Sequence, residues 1–470
     1  MQNLDMPREE FVAQARRLAD WIGDYLDDSQ RYPVLHQVAP GEIAAGQPRE
    51  CPQTGCSMQE ILDDFERQLM PGLTHWNHPR FFAYFSISAS APGVLADFLS
   101  SALNQQAMLW RTSPAATELE QVALAWLAQM MGLPAWEGVI YDTASVSTLH
   151  ALAAAREVVC PDVRQQGFSG PPLRVYCSDQ THNSIDKAVI LLGMGLDNLR
   201  KIPSDDEFRM RPEALAAAIE EDLAAGYRPC AVVATVGTTS TSSLDPVEAI
   251  ADLCARHKLW LHVDAAYGGA AALAPEFQPL FKGWERADSL VVNPHKWMFV
   301  PFDLSVLYCR DMDILRRAFS LVAEYLKTSD GQVKNLMDTG IQLGRRFRSL
   351  KLWMILRYFG RDGMAERIRS HIAMARQLAE WIDEHPQFER TAPTPLSLVC
   401  FRAVPAGLTG PEVDAFNLDL MERLNATGEI FLSHTKLKER ISLRLAIGNI
   451  RTRPEHIRQA WEAITQAAKG

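Results

Sequence analysis

Apolar side chains recur along residues 8–28 at Phe11, Ala15, Leu18, Trp21, Ile22, Tyr25 and Leu26. A spacing of about 3.6 on an otherwise charged segment predicts an amphipathic helix. Its stripe needs a cover. The irregular, Pro- and Gly-containing stretch 32–55 and a second amphipathic helix over 58–68 supply no core of their own. Residues 1–88 are therefore expected to form a helical arm that packs on a second subunit.

From residue 89 the pattern changes to helical segments alternating with short β-branched runs at 138–141, 173–177, 231–235, 260–263, 289–292 and 305–308. This predicts an α/β fold with a mostly parallel sheet over 89–375. Several runs end alike, apolar residues giving way to small, polar or ionisable ones: Asp142-Thr143-Ala144-Ser145, Ser178-Asp179-Gln180-Thr181-His182, Val236-Gly237-Thr238-Thr239, Asp264-Ala265-Ala266 and Asn293-Pro294-His295-Lys296. Ligands of open α/β sheets sit outside the carboxyl ends of the strands, so these clusters are expected to converge on one site. Over 376–470, helices and two strand-like runs, 396–401 and 441–446, predict a small α+β domain. No internal repeat occurs.

Charge narrows the partners. The chain has 47 Lys and Arg against 57 Asp and Glu, a formal charge of −10. That is the wrong sign for a general nucleic-acid or anionic-membrane binder, so a small-molecule substrate is expected. The eight cysteines lie far apart, most within apolar runs, as reduced core thiols of a cytoplasmic protein do. Cys51 and Cys56 are the close pair, but their spacing is not that of a zinc knuckle and no second pair completes a metal site. The N-terminus has no basic patch followed by an apolar core, and no run of about 18 apolar residues occurs, so neither secretion nor membrane spanning is expected.

Lys296 stands where a buried strand ends, an odd place for a long cation unless it is used. Most lysines only snorkel at a surface. Asp264 changes the balance: it ends the apolar run Leu259-Trp260-Leu261-His262-Val263, and a buried carboxylate must be paired or protonated. A Schiff-base lysine and a carboxylate on neighbouring strand ends are what pyridoxal 5'-phosphate requires, the first to hold its aldehyde, the second to keep its pyridine nitrogen protonated. Residues 143–148 precede a helical run at 149–158, and free amides at a helix N-terminus with small hydroxyls bind phosphate well. Alone, that segment is only a good helix cap. His182 is either structural or lies flat over a planar cofactor.

These residues and their surroundings resemble the group II pyridoxal-phosphate-dependent amino-acid decarboxylases, and within them most closely the aromatic amino-acid decarboxylases. The resemblance rests on Asn293-Pro294-His295-Lys296-Trp297, His262-Val263-Asp264-Ala265-Ala266-Tyr267, Ser178-Asp179-Gln180-Thr181-His182, the run from Leu343 to Lys351, and the segments 76–85 and 396–401. It implies fold-type I architecture, a carbon–carbon lyase, and a homodimer whose N-terminal helices wrap the partner. It makes Lys296 the Schiff-base lysine, Asp264 the pyridinium partner and His182 the ring-stacking residue. Ala144, Ser145, Asn293 and His295 would hold the phosphate end, Thr239 would sit near the ring hydroxyl, and Ala266 would pack on the opposite ring face. Trp76, Tyr84, Phe85, Met108 and Phe302 fall where the family lines its substrate pocket.

Two departures bear on the reaction. Family decarboxylases carry a tyrosine shortly before Leu-Gly-Arg-Arg that protonates the carbanion left by carbon dioxide. Here the loop 327–342 contains no Tyr, His or Phe, and Leu336 aligns with that tyrosine. Related aldehyde synthases also lack it and use oxygen to make an aldehyde instead, which is the rival to amine formation; Lys296 or His182 would otherwise deliver the proton through water. The pocket differs too, with Ser86 and Ile87 after Phe85 and the polar stretch Asn104-Gln105-Gln106 before Met108. A non-catalytic scaffold would have no use for Lys296, Asp264 and His182 together.

Overall fold

A computed structural model describes residues 5–321 and 333–469. Its main sheet has seven strands, β1 (Glu137–Tyr141), β2 (Leu173–Ser178), β3 (Leu199–Ile202), β4 (Arg228–Thr235), β5 (Trp260–Asp264), β6 (Ser289–Val292) and β7 (Ser305–Cys309), in the order β1-β7-β6-β5-β4-β2-β3. From β3 to β6 every pairing is parallel, and β7 runs antiparallel to both β6 and β1. The α/β expectation and the six predicted strands hold. β3 is additional: Arg200 and Lys201 interrupt its apolar pattern, as an edge strand allows.

Successive side chains of a strand face opposite ways, so a sheet covered on both faces needs nearly continuous apolar strands. Val232, Ala234, Leu261, Val263, Leu290 and Val292 face one core, which also takes Leu124 and Leu127 of the Pro114–Met131 helix. Ala231, Val233, Val291 and Leu307 face the other, against Ala151, Leu152, Ala154 and Ala155 of the Ala144–Val159 helix. At the carboxyl edge two turns touch backbone to backbone. Gly237 has φ +98°, and a Cβ on Gly268 would lie 2.3 Å from the carbonyl oxygen of Val236. Only glycine permits that approach.

A second, antiparallel sheet of β8 (Phe388–Arg390), β9 (Leu398–Ala403), β10 (Ser433–Leu437) and β11 (Arg440–Ala446) has the order β10-β11-β9-β8. β9 and β11 are the two strands expected here; β8 and β10 are added edges. The helix Ser349–Glu384 breaks its geometry at Gly360 (φ 64°) and runs through residue 375 into this region, where Met374 and Leu378 join Val399, Phe401, Leu443 and Leu445.

The arm contains the helices Arg8–Asp27 and Met58–Asp64, the second opened by a capping box between Ser57 and Glu60. No residue of the first is buried, and Phe11 is 49% exposed. Its carboxyl half nevertheless holds to its own chain: Trp21 meets Phe65 edge-on at 5.7 Å, Tyr25 Oη lies 3.0 Å from His75 Nδ1, and Arg451 Nε donates to the Leu26 carbonyl.

Burial holds His78, His150, His295 and His371 down to about 3 and His262 to about 4. Unfolded, each titrates near ~6.5. Between those values the unfolded chain binds protons that the native chain refuses, so stability falls as pH falls, by up to about 1.36 kcal/mol per pH unit for each histidine. Asp245, pushed up to about 7 by burial, and Asp288, also raised by burial, act in the opposite sense but are fewer than these five histidines. The urea midpoint is therefore expected to be clearly lower at pH 5 than at pH 7; an equal or higher midpoint at pH 5 would contradict this accounting.

Candidate active site

The carboxyl ends of β1, β2, β4, β5 and β6 open onto one cavity of about 200 Å³. Ala144 and Ser145 reach it after β1, His182 after β2, Thr239 after β4, Asp264 and Ala266 at and beyond the end of β5, and Asn293, His295 and Lys296 after β6. Every residue expected at the cofactor thus lines the same space. Parallel strands cause this convergence, because each apolar run stops at the same edge of the sheet.

Lys296 rides on the one-turn helix Pro294–Trp297, with Nζ 5.5 Å from the centre of the Phe85 ring. Burial lowers the pKa of its ammonium group, and the Asp264 charge opposes that fall. Asp264 Oδ1 accepts the Ala266 N–H at 3.1 Å, and Asp264 stands in register with Thr235 of β4. Burial lowers His182 too, again against Asp264. Its Nδ1 accepts the Ser184 N–H at 3.1 Å, so the neutral ring keeps its proton on Nε2. His295 Nδ1 accepts the Leu304 N–H, and burial followed by the neighbouring Lys296 charge keeps that ring neutral.

Two further features suit an anionic, polar ligand. Thr143 makes no side-chain bond as N-cap of the helix Ala144–Val159, and the first amides turned inward, Val146 and Ser147, both use the Thr143 carbonyl. The N–H groups of Ala144 and Ser145 are left at the positive end of a 16-residue helix, a ready phosphate cradle. Asn293 is 2% exposed, and its Oδ1 has no partner among the described residues. A phosphate cradle, an amine for an aldehyde, a carboxylate for a cationic ring nitrogen and an unclaimed polar atom together fit pyridoxal 5'-phosphate.

Of the residues expected to line a substrate pocket, Phe85 alone borders this cavity. Trp76 stacks on Phe81 at 4.3 Å and Tyr84 is 54% exposed. Phe302 lies 4.9 Å from the His295 ring but faces outward, and Met108 packs with Leu109 and Met337. Gln106 Oε1 accepts the Arg345 N–H at 2.6 Å. Arg345 in turn bonds Glu120 at 2.7 Å and the Ile140 carbonyl, a buried pair that ties Leu-Gly-Arg-Arg to β1. Leu336 is buried in a separate cleft between β1 and the helix Met312–Phe319. The part of the loop over 327–332 lies outside the described residues.

Gly237, from a strand-end cluster expected here, lines the cavity as well, and so do Ser184, Thr235 and Tyr267, which had been given no role. Thr235 had a signal, as the last residue of an apolar run beside the one that ends in Asp264. Tyr267 had a weaker one, three residues beyond Asp264 in the same turn.

Residues 40–404 match the model of the pyridoxal-dependent decarboxylase conserved domain. The chain is 38% identical to a phenylacetaldehyde synthase of Arabidopsis thaliana, over 98% of this chain and 96% of that one. It is also 38% identical to an aromatic-L-amino-acid decarboxylase of Catharanthus roseus, over 97% and 93%. Among solved structures, Oryza sativa TDC with PLP and tryptamine superposes with a TM-score of 0.96 at 38% identity, covering 100% of this chain and 99% of that one.

Proposed function

The chain belongs to the pyridoxal-dependent decarboxylase family, and we propose that it releases the carboxyl group of an aromatic L-amino acid as carbon dioxide and leaves the amine. It is a pyridoxal-phosphate-dependent carboxy-lyase with the fold-type I architecture of its relatives. The observation that carries the reading is the meeting of Lys296, Asp264 and the free Ala144 and Ser145 amides in one cavity. Relatives named for tryptophan and tyrosine support an aromatic substrate.

Each residue has a distinct task. Ala144, Ser145, Asn293 and His295 would hold the phosphate end, Asp264 the ring nitrogen, and Lys296 the aldehyde carbon, with Thr239, Ala266 and His182 around the ring. Bound there, pyridoxal phosphate supplies an electron sink for the bond broken at the carboxylate. His182 carries its proton on Nε2 and so can donate a hydrogen bond to that carboxylate, but a neutral ring in this tautomer has no acidic proton to return. Lys296 suits proton return better. Its ammonium group, made more acidic by burial, can hold a proton at Nζ and give it up to the α-carbon.

A second reading is favoured by two observations: Leu336 offers no acid, and the chain is as similar to an aldehyde synthase as to decarboxylases. That enzyme would convert the same substrate to an aldehyde with consumption of oxygen. Incubation with aromatic amino acids under air and under argon, measuring amine, aldehyde, ammonia and peroxide, separates the two. Amine as the main product in both atmospheres is expected; oxygen-dependent aldehyde, ammonia and peroxide in near-equal amounts with almost no amine would install the synthase.

The working unit in this reading is a cytoplasmic homodimer. Leu95, Phe98, Leu99 and Leu103 project from the single helix Ala91–Leu103 at 49–58% exposure, a large apolar stripe for a lone surface. Buried free thiols at Cys177, Cys230, Cys254, Cys309 and Cys400 suit a reducing compartment. No described helix is long and apolar enough to cross a membrane.

A further inference from the structure

Behind the cavity wall four rings form a column that ends in a histidine outside the cavity lining. Phe85, at the cavity, stacks on Tyr267 at 3.7 Å and 15°. Tyr267 stacks on Trp297 at 4.8 Å and 8°, and Trp297 lies 6.4 Å from the parallel ring of His371. The last pair is also bonded: Trp297 Nε1–H donates to His371 Nδ1 at 2.9 Å. Both side chains are buried, with exposures of 0% and 3%.

The location of this bond gives it consequence. Trp297 is the residue after Lys296 and the last of the four-residue turn Pro294–Trp297. A turn that short closes almost no helical bonds of its own, so outside contacts must set its rotation. His295 supplies one anchor, through the Leu304 N–H. Trp297 supplies the other, and its partner stands on the helix Ser349–Glu384. That helix also sends Met374 and Leu378 into the core of the second sheet, so one ring ties the lysine-bearing turn to the element that carries that sheet. Burial holds the imidazole neutral, the state in which Nδ1 can accept.

We infer that His371 is a positioning residue that, by accepting the Trp297 N–H, fixes the direction from which Lys296 enters the cavity. This rests on the reading of Lys296 as the cofactor-binding lysine. Loss of the bond would leave a buried donor unpaired and let the turn rotate.

The test compares wild type, Trp297→Phe, His371→Phe, the double variant and Lys296→Ala, each purified and titrated with pyridoxal 5'-phosphate. Cofactor affinity, the pH at which the visible band of the bound cofactor titrates, and kcat and KM are read. Each single variant is expected to bind cofactor about tenfold more weakly, with a shifted band titration. Its kcat should be reduced and its KM held within about twofold. The double variant should lose no more than the worse single one, because both remove the same bond. Three results would overturn the inference: wild-type affinity and band titration in any folded variant lacking the bond, losses that add in the double variant, or failure of all three variants to fold, which would assign the bond to folding. Lys296→Ala keeps the two readings apart. If it still attaches cofactor covalently, the reading of Lys296 fails; if it does not while His371→Phe behaves as wild type, only this inference fails.

Discussion

Lys296→Ala is expected to cut turnover by about 10⁴-fold or more and to abolish covalent attachment of the cofactor. Lys296 is the lysine among the cavity-lining residues. Its burial lowers the ammonium pKa and so favours the free amine. Alanine offers neither nucleophile nor proton carrier. Wild type loaded with cofactor and reduced with borohydride should yield a tagged peptide containing residue 296, and the variant should yield none. Normal turnover together with a lysine-linked cofactor in the variant would show that another amine does this work.

Asp264→Asn is expected to lower kcat by about two orders of magnitude or more, equivalent to about 2.7 kcal/mol, while attachment at Lys296 survives. The amide keeps the shape and removes the charge. In the native cavity that charge opposes the effect of burial on both Lys296 and His182. Without it a bound pyridine nitrogen has no anion to keep it protonated, and the electron sink weakens. Nitrogen-15 NMR of labelled cofactor would report the missing proton directly. Near-normal kcat with a protonated nitrogen would put the partner of the ring elsewhere.

The residues at the Lys296 cavity could be read from the chain because of how a covered parallel sheet is built. β4, β5 and β6 are apolar on both faces, so Asp264 and Asn293 stand out as the polar residues where the runs stop. The pocket aromatics lacked such a frame. Tyr84 adopts φ 54° and its N–H bonds Ser433 Oγ, 349 residues away. Phe302 and Met108 lie on irregular segments whose course is decided by what they meet, and neither lines the Lys296 cavity. The amide of Gln106 meets Arg345, 239 positions away, a partner that its local sequence does not announce.

By itself the sequence determined the α/β class, the strand ends that carry chemistry, the acidic charge and the amphipathic arm, because periodicity and polarity act over a few neighbouring residues. Only the tertiary structure decided the order β1-β7-β6-β5-β4-β2-β3, the unclaimed Asn293 oxygen, the burial of Leu336 in a separate cleft and the hold of His371 on the turn of Lys296. Those outcomes join residues that the chain keeps far apart, 74 positions in the case of Trp297 and His371. They are set when sheets and helices pack into layers, and no local pattern encodes which distant side chain will fill a given space.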